Sequence, residues 1–120
     1  MSEAEILFEV KDGLGVMTLN RPKVLNSLSH GIILEMERMM PQWEKDPAVK
    51  AVVLRGAGDR AFSAGGDVAG LYREMRDDPS GTLRRDFFRD EYVVNRRIYR
   101  YAKPWISLIY GINMGGGVGL

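Results

Sequence analysis

Several kinds of chemistry are excluded by what this sequence lacks. It contains no cysteine, which excludes disulfides, thiolate nucleophiles and zinc–thiolate sites, and is compatible with a reducing compartment. Its formal net charge is only +1, so no electrostatic attraction to nucleic acid or to an anionic membrane is expected. The single histidine, His30, has no partner residues near it in the sequence, and we expect it to be solvated or to cap a helix.

Targeting and membrane segments are also missing from the pattern. The first ten residues, MSEAEILFEV, contain neither a basic region before an apolar core nor an arginine-rich leader, which predicts no targeting segment and a cytosolic location. The longest uncharged run, Trp105 to Leu120, is too short and too rich in glycine to cross a bilayer. The 120 residues suffice for one small globular domain.

Glycine, by contrast, is abundant and clusters in two loops. The first loop follows Ala51 to Leu54, an apolar run that predicts a buried strand, and it ends at Asp67, a good N-cap for a helix. Glycines at such a junction let backbone N–H groups face a ligand, which suits a developing oxyanion. Gly56, Gly58 and Ala61 also satisfy the dinucleotide pattern G-x-G-x-x-[GA], but the helix begins too late for a nucleotide site.

The spacing of apolar residues predicts an α/β domain in which helices separate parallel strands. A β-hairpin with its turn at Asp12-Gly13 opens the chain, and a helix capped by Ser29 follows, in which Pro41 is expected to cause a kink or an end near the third turn. The remaining expected elements are a helix over Val68–Arg76, a helix over Thr82–Tyr101, a buried strand over Trp105–Tyr110 and a second glycine loop over Gly111–Leu120. Because that loop should lead into another helix, residues 1–120 are interpreted as the N-terminal part of a single domain, truncated after the loop.

Glu91 is the acidic residue with the most unusual predicted position. It lies within the apolar stripe of the longer helix, which consists of Phe87, Val94, Ile98 and Tyr101. A carboxylate centred in a buried sector has a raised pKa and can orient substrate or transfer protons. A glutamate at the edge of that sector would instead pair with an arginine such as Arg84 or Arg97, and helical geometry leaves both interpretations open. Ser63 has no base near it in the sequence, so a serine nucleophile is not expected.

Three motifs, in order, resemble the crotonase (enoyl-CoA hydratase/isomerase) superfamily. They are LNRPKVLNSLS (19–29), RAFSAGGDVAGLY (60–72) and NMGGGVGL (113–120). The resemblance implies a ββα spiral fold that binds coenzyme A thioesters, with coenzyme A arriving as part of the substrate and with no resident cofactor or metal. It implies an oxyanion hole formed by the backbone N–H groups of Gly66 and Gly116. The residues it implies along the coenzyme A path are Lys23, Val24, Asn26, Ala64, Gly65, Gly66, Asp67 and Val68.

Within the superfamily, FFRDEYVVNRRI (87–98) and GINMGGGVGL (111–120) are most similar to the 3-hydroxyisobutyryl-CoA hydrolase branch, in which the residues matching Glu91 and Gly116 contact substrate. Gly119 stands where hydratases carry a catalytic glutamate, so hydration by the usual glutamate pair is not expected. The resemblance implies hydrolysis of a short hydroxyacyl-CoA in valine catabolism, with acid–base carboxylates located beyond Leu120, and it allows a homo-oligomer. The alternatives are a hydratase or isomerase of the same fold and a non-catalytic binding or assembly piece.

Overall fold

The computed structural model describes residues 4–76, 80, 82–113, 117 and 120. In chain order the elements are β1 (Ile6–Lys11), β2 (Leu14–Leu19), a 3₁₀ turn (Pro22–Val24), α1 (His30–Lys45), β3 (Ala51–Gly56), β4 (Ala61–Ser63), α2 (Val68–Arg76), α3 (Thr82–Tyr99), β5 (Trp105–Ser107) and β6 (Ile112–Asn113). Helices separate β2, β3 and β5, so the α/β prediction is confirmed.

β1 and β2 form the antiparallel hairpin that the sequence predicts. The turn residues Asp12 and Gly13 have φ angles of 53° and 83°. Positive φ at both central residues gives a two-residue turn whose twist matches that of the paired strands. In the resulting register Ile6 lies opposite Leu19, and both side chains are buried.

The main sheet has four strands in the order β1-β2-β3-β5, with β3 parallel to both of its neighbours. Within the described residues, β5 is therefore an edge strand. The prediction of a buried strand over Trp105–Tyr110 is wrong, because β5 ends at Ser107 and Leu108 and Ile109 are about half exposed. A strand that pairs on one side only does not become buried because its residues are apolar.

The first glycine loop contains a strand that the sequence pattern does not reveal. β4 pairs in parallel with β6 to form a second sheet of two strands. Gly111 precedes β6 with φ 61°, and a side chain there would overlap the carbonyl of Arg60, so the approach of the two segments requires glycine. Strands of two and three residues are too short to show an alternating pattern.

α1 packs against the main sheet and supplies much of the core. The Ser29 hydroxyl accepts a hydrogen bond from the Ile32 N–H at 3.2 Å, which confirms Ser29 as the N-cap. The buried residues of α1 are Ile32, Ile33, Met36, Met40 and Trp43. Trp43 packs edge-on against Phe8 and lies directly on Gly15 of β2, where an added Cβ would be 2.5 Å from the indole.

α1 continues past Pro41 to Lys45, so an end of the helix near its third turn is not observed. Proline removes one backbone donor from the helix and would normally weaken it. Here Met40 and Trp43, on either side of Pro41, are buried in the core, and their burial offsets the missing hydrogen bond. The helix ends at Lys45, and Asp46 is its C-cap.

Candidate functional site

The two segments implied to line a coenzyme A path, 23–26 and 64–68, lie side by side. The Ala64 N–H donates to the Leu25 carbonyl at 2.9 Å. The Leu28 N–H then donates to the Gly65 carbonyl at 2.6 Å, and the Asp67 N–H donates to the Leu28 carbonyl at 2.8 Å. These bonds join the two segments in the manner of parallel strands, with an isolated bridge between Leu28 and Gly66.

The backbone N–H of Gly66 is left free by this pairing. In a parallel bridge the residues flanking Gly66 make the hydrogen bonds to Leu28, so the N–H and carbonyl of Gly66 face the opposite side. Within the described part of the chain, the Gly66 N–H has no hydrogen-bond acceptor. A free donor just before a helix N-terminus can stabilise negative charge on a ligand oxygen.

Ser63 and Gly65 fix the approach of the chain to this position. The Ser63 hydroxyl donates to the Asn26 carbonyl at 3.0 Å and accepts from the Gly65 N–H at 3.1 Å, and the side chain is fully buried. Ser63 is therefore occupied in holding the loop, which agrees with the expectation that it is not a nucleophile. Gly65 has φ 89°, a backbone conformation that residues other than glycine rarely adopt.

The three residues implied for the other segment differ in exposure. Lys23 and Val24 lie in the 3₁₀ turn with exposed side chains. Asn26 is buried, and its amide group donates to the Ala57 and Ala61 carbonyls at 3.0 and 2.9 Å. The Asn26 side chain therefore joins the 3₁₀ turn to the first glycine loop and is not available to a ligand.

Asp67 caps α2, as the sequence predicts. One carboxylate oxygen accepts from the Gly70 N–H at 2.9 Å, and the other accepts from the Arg21 guanidinium at 3.0 Å. Partial burial acts to raise the pKa of Asp67, but the Gly70 N–H and the Arg21 charge outweigh it and hold the pKa below its ordinary value.

Arg21 is a residue that the sequence analysis did not single out. Its guanidinium also contacts the Ser27 carbonyl at 3.0 Å and the Glu5 carboxylate at 3.1 Å. It thus connects the residue before β1, the stretch between the 3₁₀ turn and α1, and the N-cap of α2. The position of Arg21 inside the first motif was the available signal, but its partners are distant in sequence.

Glu91 is half-buried on α3 and has no hydrogen-bond or ion-pair partner among the described residues. Burial alone raises the pKa of its carboxyl group. The alternative pairing with Arg97 is wrong, because Arg97 forms a two-point ion pair with Glu37 at 3.0 and 2.6 Å. The side chain of Arg84 lies outside the described residues.

His30 has a partner that its sequence neighbourhood does not show. Its Nε2 lies 2.7 Å from the Asp90 carboxylate on α3, and its ring meets the Phe87 ring edge-on at 5.8 Å. The expectation of a solvated or capping histidine is therefore wrong. The sixty residues between His30 and Asp90 explain why no local pattern indicates the pair.

Several predicted positions lie wholly or partly outside the described residues. Gly116, the second implied oxyanion donor, and Gly119 lie outside the described residues, and so does the side chain of Val68. Ala64 is partly buried at the start of the Gly66 segment.

The described residues contain neither a membrane-spanning helix nor a cluster of metal ligands. No helix among them is both long and apolar enough to cross a membrane. In the same residues no group of three or more histidine, aspartate or glutamate side chains is placed to hold a metal ion.

The structural class is an α/β domain with a glycine loop between a strand and a helix and a free backbone donor at its end. A family model described as enoyl-CoA hydratase/isomerase matches residues 14–120. The chain therefore belongs to the enoyl-CoA hydratase/isomerase family, as its three motifs indicate.

The curated relatives include "3-hydroxyisobutyryl-CoA hydrolase, mitochondrial" from Rattus norvegicus and from Bos taurus. They are 45% and 46% identical to this chain over 117 residues. Each match covers 98% of this chain and 30% of the relative, so the chain spans about 30% of the length of these relatives.

Solved structures give the same family relationship. A carnitinyl-CoA dehydratase from Mycobacterium thermoresistibile has a TM-score of 0.91 at 46% identity, with coverage of 97% of this chain and 34% of that one. An enoyl-CoA hydratase from Rhodobacter sphaeroides 2.4.1 has a TM-score of 0.91 at 39% identity, with coverage of 98% and 34%. The predicted crotonase-like fold is confirmed.

Proposed function

We propose that this chain is the N-terminal part of an acyl-CoA thioester hydrolase that acts on 3-hydroxyisobutyryl-CoA or a similar short hydroxyacyl-CoA. The names of the curated relatives support this substrate. The observation that carries the proposal is the free N–H of Gly66, directed away from Leu28 at the end of the first glycine loop. Thioester hydrolysis passes through a tetrahedral oxyanion, and a fixed donor of this kind stabilises it.

The proposed mechanism assigns separate tasks to the loop and to α3. The thioester carbonyl oxygen accepts hydrogen bonds from the N–H groups of Gly66 and Gly116, and Glu91 holds the hydroxyl group of the acyl chain. Water attacks the carbonyl carbon, the C–S bond breaks, and coenzyme A leaves as the thiol. Carboxylates outside these 120 residues would remove a proton from the water and return one to the sulfur.

Coenzyme A is proposed to lie along the paired segments 23–26 and 64–68. The exposed side chain of Lys23 can approach a phosphate, whereas Asn26 and Gly65 contribute by shaping the backbone. Coenzyme A enters as part of the substrate, and the proposal includes no resident cofactor or metal and no nucleic-acid or membrane partner. A homo-oligomer and a cytosolic location remain predictions, and the curated relatives named above are called mitochondrial.

A hydratase or isomerase is the second candidate, because the solved relatives include an enoyl-CoA hydratase. It would need a carboxylate that replaces the glutamate absent at Gly119. The third candidate is a binding or assembly piece without activity, which is the outcome expected if the natural chain contains no acid–base carboxylates.

The test uses the protein isolated from its own source, at its natural length. Incubation with 3-hydroxyisobutyryl-CoA should release free thiol, measured with a thiol reagent. Water addition to the corresponding unsaturated thioester, without thiol release, would support the hydratase. Binding of coenzyme A thioesters without either reaction would support the third candidate, a binding or assembly piece. The 120-residue chain by itself is expected to release no thiol.

A further inference from the structure

α1 and α3 lie side by side and run in the same direction. Two side-chain pairs connect them, His30 with Asp90 near the start and Glu37 with Arg97 further along, and each pair joins residues sixty positions apart. The Tyr101 hydroxyl, just after α3, donates to the Met40 carbonyl at 2.6 Å and adds a third contact between the two segments, 61 residues apart. The rotation of α3 about its own axis is thus fixed at successive points along α1.

The His30–Asp90 pair is accompanied by a contact between His30 and an aromatic side chain of α3. The His30 ring meets Phe87 edge-on, with centroids 5.8 Å apart and planes at 78°. Phe87 is only 3% exposed and lies one helical turn before Asp90. His30 therefore contacts α3 in two ways, through the Asp90 carboxylate and through its edge-on packing with the Phe87 ring.

Phe87 in turn packs against Gly66. A Cβ added at Gly66 would lie at ordinary contact distance, 3.4 Å from Cζ and 3.5 Å from Cε1 of the Phe87 ring, so the ring borders the glycine. Neighbouring groups in a densely packed interior transmit displacements to one another. A shift of Phe87 would move the Gly66 backbone and the direction of its N–H.

Glu91 follows Asp90 directly in the sequence. A hydrogen bond that fixes Asp90 on the side of α3 facing α1 also fixes the direction in which Glu91 leaves the helix. Arg89 contacts Asp90 at 3.3 Å but is exposed, so it provides a weaker anchor than His30.

We propose that His30 is a positioning residue, which sets the Gly66 N–H through Phe87 and the orientation of Glu91 through Asp90. The role rests on the proposed function, in which Gly66 and Glu91 contact the thioester substrate. His30 itself is not assigned any contact with substrate.

The Glu37–Arg97 pair offers a matched control. It also joins α1 to α3 and has the better ion-pair geometry, with two hydrogen bonds. It lies seven residues, or about 10 Å, further along α3 than Asp90. Loss of this pair should therefore destabilise the packing of the two helices without moving Phe87.

The experiment compares His30→Ala, His30→Gln and Glu37→Ala in the protein at its natural length. Isobutyryl-CoA with a ¹³C-labelled thioester carbonyl is the probe, and infrared difference spectra report the hydrogen bonding of that carbonyl in the bound thioester. The amide resonance of Gly66 is followed separately by ¹⁵N-glycine labelling, which requires no ligand. Steady-state hydrolysis gives kcat and KM.

For His30→Ala we expect kcat to fall about tenfold with KM changed less than about twofold, because misaligned donors lose transition-state stabilisation first. The carbonyl band should return toward its frequency in free solution, and the Gly66 resonance should move. In His30→Gln the amide can still donate to Asp90, so kcat, the carbonyl band and the Gly66 resonance should lie close to those of the unmodified protein. Glu37→Ala should lower the Tm but leave the band, the resonance and kcat unchanged.

Equal changes in kcat, in the carbonyl band and in the Gly66 resonance for His30→Ala and Glu37→Ala would overturn the positioning role of His30. Such changes would reflect only a general loosening of the packing between α1 and α3. An unmoved Gly66 resonance in His30→Ala would overturn it as well, whatever the activity. If the unmodified protein does not shift the carbonyl band of the probe, the proposed function is contradicted. In that case the Gly66 resonance in His30→Ala still decides whether His30 positions the loop.

Discussion

Glu91 is a carboxylate that the fold holds partly out of water without a partner among the described residues. Burial raises its folded-state pKa above the value of about 4.3 in an unfolded chain. The protonated form is therefore the one that folding favours. The stabilising contribution is present below the unfolded pKa and is lost as the pH rises through the folded pKa. At neutral pH the ionised group destabilises the protein.

We expect Glu91→Gln to be more stable than the unmodified protein at pH 7, with a rise in Tm of roughly 2 °C. The difference should disappear below about pH 4, where the carboxyl group is protonated in both folded and unfolded states. Hydrolysis should decrease, because the amide cannot take the place of the carboxylate at the acyl hydroxyl. Thermal unfolding between pH 3 and 8 and the thiol-release assay measure the two effects.

Glu35→Gln is the matched control for Glu91→Gln, because the Glu35 side chain is 46% exposed and, among the described residues, has an ion-pair partner in Arg38 on the surface. Its effect on Tm should be small at every pH. A Glu91→Gln protein that is less stable at pH 7 would show that an unseen partner compensates the charge.

At the residue scale, prediction from sequence succeeded where the relevant neighbours are local. The N-caps Ser29 and Asp67 depend on residues three positions away, and both were predicted. The unusual position of Glu91 followed from helical periodicity. The partners of Arg21 and His30 were not predicted, because chain folding brings them together from elements far apart in sequence.

At the scale of elements, the contact between α1 and β2 depends on a glycine. Gly15 lies beneath the Trp43 ring, and an added Cβ would stand 2.5 Å from its edge. Trp43 in turn packs on Phe8 of β1, so one position couples the helix to both strands of the hairpin.

Gly15→Ala should destabilise the protein by about 1–3 kcal/mol, the usual cost of overpacking a closely packed site. Gly31→Ala is the control, because Gly31 lies in the first turn of α1 with only ordinary contacts around its Cβ position. That substitution should be neutral or stabilising by up to about 1 kcal/mol, since alanine favours helix. Urea unfolding of the two variants checks the contrast, and equal effects would contradict it.

Most elements were predictable from sequence because they are long enough to show a period. The hairpin, all three helices and β3 were located in this way. β4 and β6 were missed because they have three and two residues. The burial of β5 was misjudged because burial depends on what lies beside a strand, which its own sequence does not contain.

At the scale of the whole molecule, the chain spans about 30% of the length of its curated relatives. The proposed mechanism requires acid–base carboxylates outside the 120 residues. We therefore expect the intact mass of the protein from its own source to exceed 13.5 kDa, with glutamate and aspartate residues in the additional sequence. A mass of 13.5 kDa, measured by mass spectrometry, would contradict the hydrolase proposal and leave binding or assembly.

The motifs predicted the family from sequence alone, since each contains an unusual combination of glycines in a defined order. The substrate is harder to predict from sequence, because the residues around an acyl group come from several segments of the chain. No motif specifies the distances between those segments in the folded protein.

The parallel pairings of β3 also determine how this domain reaches its native state. Leu14 pairs with Ala51 and Val52 pairs with Trp105, so each pairing must wait until a long crossover has closed. Among the strand pairings of the described residues, that of β1 with β2 joins segments adjacent in sequence. Domains dominated by such distant pairings fold over milliseconds to seconds, far more slowly than helical bundles. Until β5 pairs with β3, the apolar edge of β3 is exposed. In a crowded or concentrated solution this edge can pair with other chains, which leads to aggregation.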